Sequence, residues 1–312
     1  MNSDTPLSIG IDFGGTSVKL AVVDGANLLG EIERIPTRNF PEPDDLVAEI
    51  VKVIGRFKEE HPRVASVGVG VPGAVDFDRG MTYNLTNVPG WSNVPLRDII
   101  SENTGLPAVL ENDANCAAYA EFKCGAARGY RNVIVVTLGT GVGGGLILNG
   151  DLFRGSQFAA GEIGQMSVDY RGVDGPYGNF GALERYIGNQ QIAEIGVRRY
   201  REAGRDPGVD NGSPESLAQA ATAGDEVALS VWREVADYLG TALTSVVYLL
   251  NPDAIVIGGG VAHAGDVLFA PLKERMRTML SVEFFEALQI LPAEFGNTAG
   301  IIGSAALALS GR

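Results

Sequence analysis

The sequence predicts an α/β fold in two lobes, and three observations carry that reading. The chain has 312 residues, more than the roughly 100–200 of one ordinary domain. Short apolar strands alternate with amphipathic helices along its length, the order that produces layered α/β architectures. A strand–glycine turn–strand unit stands near the N-terminus and again near the middle, one for each lobe. Glycine is abundant as well: 42 residues, about twice the ordinary share of ~7%. These glycines cluster at strand ends, where tight turns or close backbone approach would need them.

The elements follow in order. Residues 7–11 form a strand that runs into Asp12-Phe13-Gly14-Gly15-Thr16, and residues 18–23 return before the turn at Asp24-Gly25. That spacing predicts a hairpin rather than a strand entering a helix. Over residues 44–61, Leu46, Val47, Ile50, Val53, Ile54 and Phe57 recur at helical spacing, which predicts one amphipathic helix. Residues 64–71 form a short buried strand closed by Pro72-Gly73. Residues 108–110 form another, which leads through Glu111-Asn112-Asp113 into a helix over 114–123. Residues 132–138 are a β-branched strand followed by Gly139-Thr140-Gly141-Val142-Gly143-Gly144-Gly145 and a strand over 146–148, repeating the N-terminal plan. A long helix over 226–250, a core strand over 254–257, the turn Gly258-Gly259-Gly260 and a small-residue helix over 300–309 complete the set. Residues 203–214, rich in Gly, Pro, Asp and Asn, read as a mobile surface excursion.

Composition excludes several classes of function. The 24 basic and 38 acidic residues leave a net charge of −14, and so acidic a surface repels nucleic acid and anionic lipid. No apolar run approaches the ~18 residues of a membrane span. Residues 1–10 lack the features of a secretory signal, so a cytoplasmic protein is expected. Cys116, Cys124, His61 and His263 are the full complement of cysteine and histidine. That excludes a disulfide framework and makes a Cys/His zinc cluster very hard to build. Both cysteines read as small buried hydrophobes. His61 reads as a helix terminus, His263 as a surface or capping residue and Trp91 as packing.

The glycine turns carry the chemistry. Gly14 and Gly15 let the backbone come within hydrogen-bond distance of a polyphosphate, and Thr16 adds a hydroxyl. Asp12 beside that turn would repel phosphate unless a divalent cation lay between, so it reads as a residue on the Mg²⁺ side. The loop over 139–145 is neither a G-x-G-x-x-G turn opening a helix nor a Walker A loop, which argues against Rossmann and P-loop sites. Two phosphate-competent hairpins plus the turn at 258–260 suit a cleft that grips a nucleoside triphosphate from both sides. At Asn112-Asp113, local sequence alone predicts a helix cap. A carboxylate there also feels the positive end of the helix dipole, which favours its ionised form. Glu162 lies in the nearly uncharged segment Ala159-Ala160-Gly161-Glu162-Ile163-Gly164, an unusual setting for a solvent-facing side chain.

In these segments, together with Val71-Pro72-Gly73, Asn87-Val88-Pro89-Gly90-Trp91 and Ile257–Val261, the chain resembles the ROK family of repressors, open reading frames and sugar kinases. That family belongs to the actin-like, hexokinase-type ATPases, and the resemblance spans nearly the whole chain. It implies two ribonuclease H-like lobes: residues 1–118 completed by the helix over 300–312, and residues 119–299. It implies ATP, Mg²⁺ and a hexose as ligands, with transfer of the γ-phosphoryl group to the 6-OH of glucose. By resemblance, Asp113 is the base facing that hydroxyl, while Asn112, Glu162, Gln165 and Glu184 contact the sugar. Gly73 and Asn87 resemble positions lining the same pocket. Asp12, Gly14, Gly15, Thr16, Lys19, Gly139, Thr140, Gly141, Gly258, Gly259 and Gly260 fall on the ATP and phosphate side. A homodimer is expected from the same source. The alternatives are a kinase for another hexose or an N-acetylhexosamine, and a non-catalytic sugar-sensing binder. Repressors of the family carry an N-terminal helix-turn-helix, whereas here the first hairpin already begins by Asp12.

One departure from the family pattern matters. The family usually has a histidine where this chain has Gln165, and a C-x-C-G-x-x-G-C-x-E segment that binds structural zinc. Here Gly175, Tyr177 and Ala182 stand at the cysteine positions, so no structural zinc is expected. Pro176, Tyr177 and Phe180 are expected to hold this loop by apolar packing instead.

Overall fold

The computed structural model describes residues 5–85, 88, 90–206 and 212–311. Asn87 and part of the predicted excursion over 203–214 lie outside the described residues. Strand β1 (Leu7–Phe13) is buried at every position except Asp12, as a strand covered on both faces must be. It turns back as β2 (Ser17–Asp24), antiparallel in the register Asp12↔Lys19, which is the predicted hairpin. The edge strand β3 (Asn27–Pro36) escaped the sequence reading because its mixed burial hides any period of two. Helix α1 (Pro43–Glu60) buries all six predicted apolar residues and ends at His61, its C-cap. After it come β4 (Val64–Val71), the short pair β5 (Val75–Asp76) and β6 (Met81–Thr82), and α2 (Leu96–Thr104). Next are β7 (Ala108–Asn112) and α3 (Asp113–Lys123).

The first sheet runs in the order β3-β2-β1-β4-β7. β4 is parallel to both β1 and β7, with Asp12↔Gly70 and Val71↔Asn112 in register. Parallel strands end at one edge of a sheet. The carboxyl ends of β1, β4 and β7 therefore deliver the Asp12 turn, Gly73 and Asn112-Asp113 side by side, as ligand-binding loops are placed in open α/β sheets.

The chain continues through β8 (Val133–Leu138), β9 (Val142–Leu148), β10 (Asp151–Leu152), α4 (Glu184–Ile187), α5 (Asn189–Glu202) and α6 (Pro214–Thr222). It ends with α7 (Glu226–Leu250), β11 (Ala254–Gly258), α8 (Asp266–Met279), α9 (Val282–Ala287), β12 (Gln289–Pro292) and α10 (Ala299–Ser310). The second sheet has the order β10-β9-β8-β11-β12, with β11 parallel to β8 and β12. Both sheets thus place a run of chain-consecutive strands at one edge and parallel strands at the other, the duplicated plan expected from the glycine turns.

Internal contacts divide the chain into one unit of residues 1–129, 145–160 and 297–312, and another of 130–144 and 161–296. In the first unit Trp91 is packing, as predicted. It is 3% exposed, meets Phe13 edge-on at 5.2 Å, and donates from Nε1 to Thr82 Oγ1 at 2.6 Å. Cys116 is buried as expected, whereas Cys124, the C-cap of α3, is only half-buried because the helix ends there. Burial, then the nearby Glu111, Asp113 and Asp12 carboxylates, push the Cys116 thiol well above its ordinary pKa, so it stays protonated and inert. Among the described residues no helix is long and apolar enough to cross a membrane.

Candidate active site

The first unit carries one group of the predicted site residues. The β1–β2 turn is closed by Gly14 N–H donating to Ser17 O at 3.0 Å, and Gly15 and Thr16 are exposed. Asp12 and Lys19 face each other across the hairpin as an ion pair at 2.9 Å. Reading them separately from sequence missed that each neutralises the other. At the β7–α3 junction Asn112 is the N-cap: its Oδ1 accepts from Ala114 N at 2.9 Å and Asn115 N at 3.2 Å. Its Nδ2 donates to Gly73 O at 3.1 Å, tying the cap to the end of β4. The cap reading and the site reading of Asn112 thus fall on one residue. Asp113 is the first residue of α3, half-buried, with Oδ1 accepting from its neighbour Ala114 N at 2.8 Å.

The second unit carries the other group. In the loop after β8, Gly139 N–H donates to Gly141 O at 3.0 Å, while Thr140 is exposed. Glu184 Oε2 accepts from Val142 N at 3.0 Å, and any Cβ at Gly141 would overlap that same oxygen. The family resemblance suggested Glu184 as a sugar contact but could not show that it fastens the loop after β8. Glu162 is exposed rather than enclosed: Gly161, at φ +92°, turns the chain outward, and Ile163 and Gly164 take the buried places instead. Even so, partial burial of its carboxyl group, then the like charge of Glu184, raises its pKa above the ordinary value. Gly259, at φ +83°, lies so close to Leu138 that a Cβ would overlap the Leu138 carbonyl; that explains the glycine turn after β11.

The raised Glu162 carboxyl yields a prediction. Its folded pKa lies above its unfolded value, so its contribution to stability is most favourable below 4.5 and is lost as pH rises through the raised value. Glu162→Gln is expected to melt at a higher temperature than the parent at neutral pH, with the gap closing in acid. Melting curves of both proteins across pH check this; a variant less stable at neutral pH overturns it.

Next to the Gly258–Gly260 turn lies a cavity of about 820 Å³, bordered by Ser213, Pro214, Gln219, Gly260, Val261 and the exposed His263. Sequence reading missed its α6 wall. Ser213 followed by Pro214 does announce a helix start, but not which surface that helix faces.

The loop with the substituted cysteine positions is held differently from expectation. Pro176 and Tyr177 are exposed, Tyr177 to 82%, and Phe180 to 51%, so apolar packing does not secure it. Hydrogen bonds do. Gly175 N donates to Asn179 O at 2.7 Å, Gly181 N to Val173 O at 2.8 Å, and Asn179 Nδ2 to Gln165 O at 3.3 Å. The Gln165 and Asn179 side-chain oxygens are both buried without a partner.

Comparison with known proteins adds the lineage. The ROK family profile matches residues 8–310. The glucokinase of Halalkalibacterium halodurans is 35% identical over 306 residues, covering 95% of this chain and 92% of that protein. The xylose repressor of Caldicellulosiruptor bescii is 26% identical over 322 residues, covering 99% of this chain and 80% of the repressor. A ROK family glucokinase from Streptomyces griseus, solved in complex with glucose and AMPPNP, matches with a TM-score of 0.79 at 33% identity, covering 97% of this chain and 99% of that one. The fold is therefore the two-lobed actin-like, hexokinase-type α/β fold. With a family match across nearly its whole length and a relative above 30% identity over the same span, the chain belongs to the ROK family.

Proposed function

We propose that the protein is a hexose kinase that transfers the γ-phosphoryl group of ATP to the 6-OH of glucose. The observation that carries this reading is the β7–α3 junction. Asp113 stands half-buried at the first position of a helix, beside the end of β4, in a chain similar to glucokinases. A carboxylate so placed accepts the proton of the attacking hydroxyl as the phosphoryl group transfers; the loose transition state asks for little more from a base. By the family resemblance, Glu162, the Oε1 of Glu184 and Gln165 are acceptors for sugar hydroxyls, and Asn112 and Gly73 are sugar-side residues. Such acceptors reject deoxy analogues, which would leave them unpaired.

The turns at 14–16 and 139–141 offer backbone N–H groups to the phosphates, and the cavity beside Gly260 accommodates the nucleoside. The Asp12 carboxylate is a hard oxygen donor with Oδ2 engaged by Lys19. Among the described residues no three His, Cys, Asp or Glu side chains cluster as a metal site. That donor set fits an Mg²⁺ held mainly by nucleotide phosphates and water, with Asp12 beside it. When bound, the ion neutralises phosphate charge. Two such chains form a homodimer in this proposal.

A coupled ADP-release screen tests the reading, using glucose, mannose, fructose, allose and N-acetylhexosamines, with ATP and polyphosphate as donors. Release with glucose supports it. Release only with an N-acetylated sugar moves the assignment to that substrate, and no release with any sugar overturns the kinase in favour of a sugar binder.

A further inference from the structure

We propose that Glu111 and Arg154 are positioning residues for Asp113, acting through the backbone of the β7–α3 junction; Asp113 as the base rests on the function proposed above. Glu111 is 2% exposed. Its Oε1 accepts from the Asn112 N–H and from Asn115 Nδ2, both at 2.9 Å. Its Oε2 pairs with Arg154 Nε at 2.6 Å, and the Arg154 guanidinium carbon lies 3.8 Å from the centre of the Phe77 ring. One buried carboxylate thereby joins β7, α3 and the segment after β10.

A buried ion pair seldom stabilises a fold more than an apolar pair of the same size, so its presence calls for another reason. The group it holds supplies one. The Asn112 N–H belongs to the peptide leading into Asn112, whose carbonyl in turn joins Asp113. Rotation there would swing the Asp113 carboxylate, and a displacement of about 1 Å in a reacting group lowers rates about 10²-fold. The Asn112 side chain fixes the same junction independently, as the cap of α3 and through Gly73 O. Loss of the Glu111–Arg154 pair therefore leaves the helix formed and frees its orientation.

Arg154 is also reachable. Its Nη2 is buried without a hydrogen-bond partner, and the residue borders a cavity of about 410 Å³ with Phe77, Tyr119, Leu152 and Leu307. A small planar cation can enter there and lie on Phe77 once the side chain is removed.

The test is Arg154→Ala in the full chain. The expected result is a kcat about 10- to 100-fold lower with the KM values for sugar and ATP within about twofold. Millimolar methylguanidinium restores most of the lost kcat and leaves the parent protein unchanged. Glu111→Gln keeps an acceptor for the Asn112 N–H but loses the ion pair, so it loses less activity and is not rescued. Amide exchange over residues 110–116 speeds up in Arg154→Ala and slows again with methylguanidinium, while exchange over α7 stays as in the parent. Intact kcat, a rise in KM alone, or absence of rescue overturns the proposal. If the parent phosphorylates no sugar, the functional reading fails, and exchange over 110–116 still decides whether Arg154 orders the junction. Should Arg154→Ala not fold, Arg154→Lys keeps the charge without the planar stack. Unchanged exchange and kcat in that variant overturn the proposal equally.

Discussion

Asp113→Asn is expected to lower kcat about 10²–10⁴-fold while glucose affinity stays within about threefold. Asparagine preserves the size of the side chain and an oxygen to accept from Ala114 N, so the first turn of α3 stays closed. The Asn112 cap is untouched in any case. If Asp113 is the base proposed above, what disappears is the ability to take a proton from the attacking hydroxyl, which matters only as the phosphoryl group moves. The effect therefore falls on kcat rather than on binding. Steady-state kinetics and glucose titration calorimetry on the same preparation separate the two. A variant that retains turnover removes Asp113 from the role of base, and one that loses affinity and rate equally makes it a sugar ligand instead.

Gly303→Ala is expected to destabilise the protein by about 3 kcal/mol, the upper part of the usual range for overpacking. Gly303 lies in α10, and a Cβ there would overlap the main-chain carbonyl oxygen of Cys116 in α3. The obstruction is backbone, so no rotamer relieves it, and one helix must move away from the other. The gain of about 1 kcal/mol from replacing a helical glycine by alanine does not offset that movement. Gly55→Ala in α1 isolates the gain, since nothing lies within 4 Å of the position a Cβ would take. That variant should be more stable by about 0.5–1 kcal/mol. Urea midpoints of the two variants should move in opposite directions; a shift of Gly303→Ala towards higher stability overturns the packing account. The loss at Gly303 should also reach activity, because the partner helix begins at Asp113.

Local features are legible in the sequence. The β1–β2 hairpin follows from its glycine turn, α1 from its apolar spacing, and the places of His61 and Trp91 from their neighbours. The N-cap at Asn112 is visible as well, because a cap depends on the three residues that follow it. Glu162 is exposed although its setting is unusual for a solvent-facing side chain, since an uncharged neighbourhood in sequence says nothing of which way a turn faces. Composition suggests apolar packing for the loop at 175–182, whereas paired backbone N–H and C=O groups hold it.

The order of short-range patterns thus determined the α/β class, the duplicated hairpins and the segments that carry the candidate chemistry. These depend on backbone geometry within a few residues. Only the tertiary structure decided which side chains act together. Glu184 reaches Val142 across 42 positions, and Arg154 reaches Glu111 across 43. Such partnerships are set by how sheets and helices pack, and hydrogen bonds and charges act over ångströms of space without regard to distance along the chain.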